Sequence, residues 1–283
     1  FSGGRSSAVM TKLCLDKYSG THEIVVMFAN TGCEHPATLD FVRDCDEHWG
    51  FNTVWLEAVI DPREGVGTRH KVVSHETAHR GIDIFKAFCA KYGIPNAGAK
   101  MGCTREIKRN AINSYLTSIG WNCTKKNFDH LIAIGYRADE LDRISSDPRV
   151  FMPLFEWGWT KEDVNTFMRK VPWDLKLPSD AHGNCTMGVP CHKKSLRKLY
   201  TLAKENPNLF DGAIEIERDC GHVKAENPTC AAVHNGRRVF YRGHTSATQI
   251  VADAQTIFSE SKIKPYTEAT QFNLWDYLSR ADW

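Results

Sequence analysis

Phe1-Ser2-Gly3-Gly4-Arg5-Ser6-Ser7-Ala8-Val9-Met10 opens the chain and decides how the rest is read. Two glycines stand among three serines, and a helix-compatible apolar run (Ala8, Val9, Met10, Leu13) follows at once. Glycine lets backbone N–H groups close on an anion, serine hydroxyls add donors, and a helix start adds the positive end of its dipole. The stretch reads as a phosphate cradle, with a Gly/Ser turn ahead of a helix as the plainer alternative. No lysine follows the glycines, so this is not the Gly-x-x-x-x-Gly-Lys-Ser/Thr loop. A cradle of this kind follows a central strand, so a first strand is expected ahead of Phe1.

Composition sets wide bounds. The 283 residues are 42% hydrophobic and 25% charged, enough for a large core in one large or two modest domains. A net charge of +2 neither demands nor excludes nucleic acid, so any such contact would come from a local patch. No apolar run approaches the ~18 residues that a membrane span needs. Ten cysteines in a chain this long suggest a reducing, cytoplasmic setting with some thiols as metal ligands, not a disulfide scaffold.

Working outward, Ser6 to Tyr18 reads as a helix ended by Ser19-Gly20, and Ile24–Phe28 as a buried strand closed by Asn30-Thr31-Gly32. A helix from Pro36 to Trp49 and a strand from Thr53 to Val59 continue a β-α-β-α rhythm. That rhythm predicts an α/β, Rossmann-like, doubly wound and mostly parallel sheet with ligand at the carboxyl ends of its strands. Asp61 to Arg69 reads as a loop, Ile82 to Tyr92 and Cys103 to Ile119 as helices, and Phe128–Ile134 and Val150–Phe155 as strands. Thr160 starts a further helix. Beyond it come a basic helix carrying Lys193, Lys194, Arg197 and Lys198, a hairpin strand at Arg237–Tyr241 and a late helix from Ser246 to Phe258. A boundary near residue 150 divides a nucleotide-binding domain (1–150) from a helical, cysteine-bearing region (151–283).

Several segments then fall in a recognisable order: the cradle, Asn30-Thr31-Gly32 with Glu34, Cys103-Thr104-Arg105-Glu106-Ile107-Lys108, Gly135-Tyr136-Arg137-Ala138-Asp139-Glu140 and Gly183-Asn184-Cys185. Together they resemble the phosphoadenosine phosphosulfate (PAPS) reductase-like branch of the PP-loop, adenine nucleotide α-hydrolase superfamily, and in particular its phage and bacterial accessory members. The resemblance implies the HUP/PP-loop sheet, with PAPS, APS or ATP contacting Ser2, Gly3, Gly4, Arg5, Ser6, Ser7, Phe28, Asn30, Thr31, Gly135, Arg137 and Asp139. Ser6 stands where PP-loop ATP pyrophosphatases carry Asp. Arg137 follows a predicted strand, where a guanidinium can grip phosphate oxygens. Asp139 and Glu140 are expected either to hold Mg²⁺ or to cap a helix. Arg5 and Lys108 are further candidates for neutralising phosphate, with a solvated surface position the simpler expectation for Lys108.

Cys103, Cys185 and Cys191 lie in the resembling segments, with Cys220 or Cys230 as a fourth thiol. Thiolates from separate segments suit a [4Fe–4S] cluster or Zn²⁺, with plain thiols as the remaining alternative. Asp219-Cys220-Gly221-His222 partly echoes the segment that supplies the attacking thiolate in PAPS reductases, which makes Cys220 a catalytic candidate beside Arg5 and Arg137. Cys14, Cys45, Cys89 and Cys123 read as packing residues. His75-Glu76-Thr77-Ala78-His79 matches the His-Glu-x-x-His pattern of zinc peptidases, without a third ligand in context. The readings that remain are sulfonucleotide reduction with a thioredoxin-like reductant, ATP-dependent sulfur transfer to tRNA or DNA through an iron–sulfur cluster, and a non-catalytic nucleotide- or nucleic-acid-binding module. Oligomers are compatible with each.

Overall fold

A computed structural model describes residues 1–96, 102–124, 128–183, 185–223 and 233–256. Helix α1 (Arg5–Tyr18) starts directly after the glycines and buries Ala8, Val9, Met10, Thr11 and Cys14. Strand β1 (Met27–Asn30) follows, and then α2 (Pro36–Trp49). The entry to α2 is well specified: the His35 ring accepts from Ala37 N–H at 3.1 Å, Pro36 takes the first turn, and Gly50 ends the helix at φ +63°. Strand β2 (Val54–Val59) runs parallel to β1, with Phe28 opposite Trp55 and Asn30 opposite Glu57.

Beyond β2 the chain departs from expectation. In place of one doubly wound, mostly parallel sheet, the described strands form a three-stranded mixed sheet and two two-stranded ones within a mixed α/β fold. Strand β3 (Arg69–Val73) returns antiparallel along β2, where no element was expected after the 61–69 loop. Its sequence, Arg-His-Lys-Val-Val, lacks alternation because the strand is largely exposed. Helix α3 (Asp83–Tyr92) and a π-helical stretch (Thr104–Asn110) leading into α4 (Ala111–Ser118) follow. Strands β4 (Ile132–Ala133) and β5 (Val150–Phe151) form a separate parallel pair. The expected strand to Phe155 stops early because Pro153 has no N–H to give a ladder and opens α5 (Pro153–Glu156) instead. The expected buried strand at 128–134 is correspondingly short, and Leu131 is 61% exposed.

The remaining elements are α6 (Lys161–Met168), α7 (Leu196–Glu205), α8 (Asp211–Cys220), the hairpin strands β6 (Val233–His234) and β7 (Arg237–Arg238), and α9 (Ala247–Asp253). The late helix is described through Asp253, and residues past 256 lie outside the described ones. The basic helix begins only at Leu196, capped by Ser195 on Lys198 N–H, so Lys193 and Lys194 precede it. One core packs α1, α2 and α6 with Phe51, Leu154 and a rim of Trp49, Trp157, Trp159 and Trp173. A second joins α3, Ile107, α7, α8 and α9. Both cores draw side chains from each side of residue 150. No helix among the described residues is long and apolar enough to cross a membrane.

One buried carboxylate locks the second core. Glu217 on α8 accepts from Phe240 N–H at 2.9 Å and from Ala247 N–H, the first residue of α9, at 3.0 Å. Burial pushes its carboxyl up to about 7, against the pull of these two donors. The folded protein therefore keeps a proton that the unfolded chain releases near its ordinary value of 4.5, so this group's contribution to stability falls as pH rises from there to about 7. Glu217→Gln keeps an acceptor for one N–H and removes the titration. In thermal melts across that window, wild type should lose stability relative to the variant as pH rises, by up to about 3 kcal/mol; a constant gap would refute the assignment.

Candidate functional site

The cradle is shaped by Ser7. Its hydroxyl donates to Gly4 O at 2.8 Å and accepts from Ser2 N–H, Ser2 Oγ and Gly4 N–H at 3.2, 3.0 and 3.3 Å. Ser7 is thus an organiser of the loop, buried behind it, while Ser2, Gly4 and Ser6 hold the open side. Gly3 adopts φ +73°, and a Cβ there would stand 2.5 Å from Thr38 Cγ2 and 3.3 Å from Phe28 Cε2. The loop therefore rests on the end of β1 and the first turn of α2. From the other side Gly135, after β4, presses on the start of α1: a Cβ would meet Ser7 Cα at 2.9 Å and Ser7 N at 3.0 Å.

Arg137 is carried over the cradle by the same segment. Its Nη1 donates to Ser6 Oγ at 3.1 Å, and Nε and Nη2 grip Asp139 through both oxygens at 2.9 and 3.0 Å. Glu140 Oε2 lies 3.3 Å from Nη1 and accepts from Arg137 N–H at 3.1 Å. The two acids thus orient a guanidinium instead of standing free for Mg²⁺, and Arg137 holds the Asp139 carboxyl below its usual range. The helix-cap expectation is met in an unexpected place, since Asp139 accepts from Lys161 N–H at the start of α6. Arg5 points away and pairs with Asp174 at 2.8 Å on the surface.

The exit of β1 forms the second half of the site. Glu34 Oε2 accepts from Thr31 N–H at 2.9 Å and from Thr31 Oγ1 at 2.7 Å, closing a buried turn. Lys108, expected as a solvated charge, sits half-buried with Nζ 3.5 Å from Glu34 Oε1. Burial works against its charge, but Glu34 with the nearby Cys185 and Cys103 sulfurs holds its pKa above the ordinary value. Residues 185–194 lie across this turn: Cys185 pairs with Glu34 as an antiparallel bridge, and its Sγ is 3.6 Å from Thr31 Oγ1. Burial, with Glu34 adding to it, pushes the Cys185 thiol up to about 12. Lys194 is only 7% exposed; its ammonium donates to Ala181 O at 2.7 Å and to Gly183 O, and burial lowers it to about 8. It is no part of a solvated basic face.

Other expected residues fall elsewhere. Phe28 is buried edge-on against Trp55, and Asn30 is fully buried, donating to Glu57 Oε1 at 2.8 Å and to His79 O at 2.9 Å. Both support the site from beneath and offer no open contact to a ligand. Cys220 is buried at the end of α8, where burial raises its thiol, and His222 beside it is exposed, so the pair is not the activated thiolate of the expectation. His75–His79 forms a turn, not a helix: His75 Nε2 pairs with Asp40 at 3.0 Å and His79 Nε2 with Asp83 at 3.1 Å, which separates the two rings that a zinc peptidase would converge. Cys103 and Cys191 lie close enough for each charge to act on the other, as do Cys185 and Cys191. As placed, however, no three His, Cys, Asp or Glu among the described residues converge as metal ligands. Cys230 and Asn184 lie outside those residues. Cys33 was overlooked: it sits inside the Thr31–Glu34 turn, and its carbonyl receives Thr186 and Met187 N–H at 2.7 and 3.0 Å. Its position between two quoted motif residues was the available signal.

A glycine–serine cradle at a helix start, an arginine above it and an α/β frame are the features that PP-loop, nucleotide-binding families combine. The phosphoadenosine phosphosulfate reductase domain matches residues 1–94. An uncharacterized Nin-region protein, ORF290, of Escherichia phage lambda is 30% identical over 212 residues, covering 74% of this chain and 70% of that protein. No solved structure matches. The chain belongs to the PAPS reductase-like family. Gly135→Ala tests the cradle directly, because its methyl group would push on Ser7 backbone atoms that cannot swing aside. Adenine-nucleotide affinity, read by calorimetry, should fall about tenfold or more, with the circular dichroism spectrum unchanged; unaltered affinity would place the nucleotide elsewhere.

Proposed function

We propose that this protein binds a sulfonated adenine nucleotide of the PAPS type and reduces its sulfonate group to sulfite through a cysteine thiolate. The observation that carries the reading is the shared use of residues 31–38. Thr38 supports Gly3 of the cradle, while Thr31 and Glu34, one turn earlier, support Cys185. A nucleotide with its phosphates on the cradle thus has its terminal group directed along the α2 entry toward thiols. The electrostatics agree with an anionic group there: Lys108 lies 3.5 Å from Glu34, and Lys194, held by the Ala181 and Gly183 carbonyls, is near enough to Cys185 and Cys191 for the charges to interact. In the cradle itself, Ser6 adds no carboxylate, and Asp139 and Glu140 are occupied by Arg137. That arrangement suits a ligand bound through N–H groups and a guanidinium better than an ATP–Mg²⁺ complex.

The chain's own residues account for the steps. The α1 N–H groups and Arg137 hold the phosphates, Lys108 and Lys194 offset the charge of the sulfonate, and a thiolate attacks its sulfur as the S–O bond to phosphate breaks. No step is routed through a cluster, because the described side chains do not form a ligand set as they stand. Supplied with PAPS and a dithiol reductant, the protein should yield sulfite and the nucleotide bisphosphate. Arg137→Gln should lower kcat/KM about a hundredfold, as loss of a charged contact in a buried site does. Release of AMP and pyrophosphate from ATP, with no sulfite from PAPS, would favour the sulfur-transferase reading instead.

A further inference from the structure

Residues 185–194 are built to hold two thiols together. Cys191 N–H donates to Cys185 O at 3.0 Å. That bond puts the two backbones in direct contact, and Cys191 is near enough for its charge to act on the Cys185 thiol; a disulfide needs Cα atoms about 4.4–6.8 Å apart. The residues between them are pinned on several sides. Thr186 and Met187 are bound to Cys33 O, Thr186 Oγ1 donates to His182 O at 2.8 Å, Ala213 N–H to Gly188 O at 2.8 Å, and the Tyr241 hydroxyl to Pro190 O at 3.1 Å. Lys194 closes the segment: its N–H donates to Cys191 O at 2.9 Å and its ammonium reaches back to Ala181 and Gly183. Cys185 and Cys191 are both half-buried, whereas Cys33, Cys89 and Cys220 are sealed in the core.

We propose that Cys185 and Cys191 are a redox dithiol that supplies the two electrons of sulfonate reduction from within the chain, passing to a disulfide as sulfite leaves. This rests on the sulfonucleotide reading above. Cys191 is the attacking thiol, because Cys185 Sγ is turned inward onto Thr31 and stands beside the Glu34 carboxylate, which repels an incoming anion. A bond forms between Cys191 Sγ and the sulfonate sulfur while the S–O bond to the nucleotide phosphate breaks, and the phosphate leaves with that electron pair. Cys185 then attacks Cys191 Sγ. The disulfide forms, the bond from Cys191 to the sulfonate breaks, and sulfite departs with its electron pair. The sulfonate sulfur gains two electrons, the two cysteines lose two, and the two thiol protons pass to solvent. An external dithiol reopens the disulfide before the next turnover.

The test is a single turnover. Fully reduced protein, freed of external thiol under anaerobic conditions, is mixed with PAPS, quenched with an alkylating agent and mapped by peptide mass. Sulfite equimolar with protein is expected, together with a Cys185–Cys191 disulfide. Cys185→Ser should release no sulfite and retain the mass of SO₃ on Cys191 until an external thiol is added; Cys191→Ser should give neither product. Sulfite formed while both cysteines remain alkylatable, or a sulfonate on Cys103, would overturn the proposal. A second arm needs no nucleotide: the thiol oxidant diamide, added to wild type, should link Cys185 to Cys191. If it does while PAPS gives no sulfite, the pair stands as a redox dithiol and the sulfonucleotide reading falls. If diamide leaves both thiols free, the dithiol itself is refuted, whatever PAPS does.

Discussion

Glu34 turns back on Thr31 through two hydrogen bonds, and much of the site depends on that buried turn. An ionised carboxylate away from water is costly unless donors surround it. Here one oxygen takes the Thr31 N–H and hydroxyl, and the other faces the Lys108 ammonium at 3.5 Å. Because the Lys108 side chain is 37% exposed, water screens that contact, and the two Thr31 hydrogen bonds are the firmer part of the arrangement. Three things follow from its position. It ends β1 and aims the chain into α2, whose first turn supports the cradle. It gives residues 185–194 a strand-like edge to pair with at Cys185. It also fixes Lys108, from the π-helical stretch, at the mouth of the thiol site. A single interaction thus joins segments that lie far apart in the chain.

The parts of this arrangement that sequence patterns reveal are those governed by local rules. The α1, α2 and α3 helices lie within a residue or two of where glycine stops and apolar periodicity put them, and α6 starts at its Thr160 cap. The glycine–serine loop at the start of α1 was equally legible, because Gly3 takes the positive φ that glycine favours. The illegible parts are those decided by tertiary partners. Strand β3 has no alternating pattern because its residues pair with β2 at an exposed edge. The 128–134 run is apolar enough for a buried strand, yet a proline three residues after Val150 limits its partner to Val150–Phe151.

Charged side chains were misread for a related reason. Lys194 follows Lys193 and precedes Arg197 and Lys198, a run that reads as solvated. Its burial comes from the carbonyls of Ala181 and Gly183, more than ten positions earlier, which no local pattern announces. Lys108 is similar, since its partner Glu34 is seventy-four positions away. The partial likeness to the PAPS reductase thiolate segment suggests chemistry at Cys220, but the helix that carries it buries the residue in the core. The thiols that reach the open side belong instead to two short segments, around Cys103 and across residues 185–194, held against the end of β1.

The difference between Ser6 and the aspartate of related PP-loop enzymes has an electrostatic consequence. Around the cradle, Arg137 and Arg143 are matched by Asp139 and Glu140, with Arg143 Nη1 2.7 Å from Glu140 Oε1. Charge there is close to balanced, and attraction for an anion comes from the N–H groups at the start of α1 and from their dipole. A carboxylate at position 6 would tip that balance negative and call for a cation to restore it. A serine, accepting from Arg137 instead, adds no further negative charge to that balance. On the proposed reading, the serine that weakens the likeness to the ATP pyrophosphatases is also compatible with an anion held by N–H groups and a guanidinium. At the thiol end Lys108 faces Glu34, and Lys194 is held by the Ala181 and Gly183 carbonyls close to Cys185 and Cys191, so both cations lie along the path that the proposed reading gives the ligand.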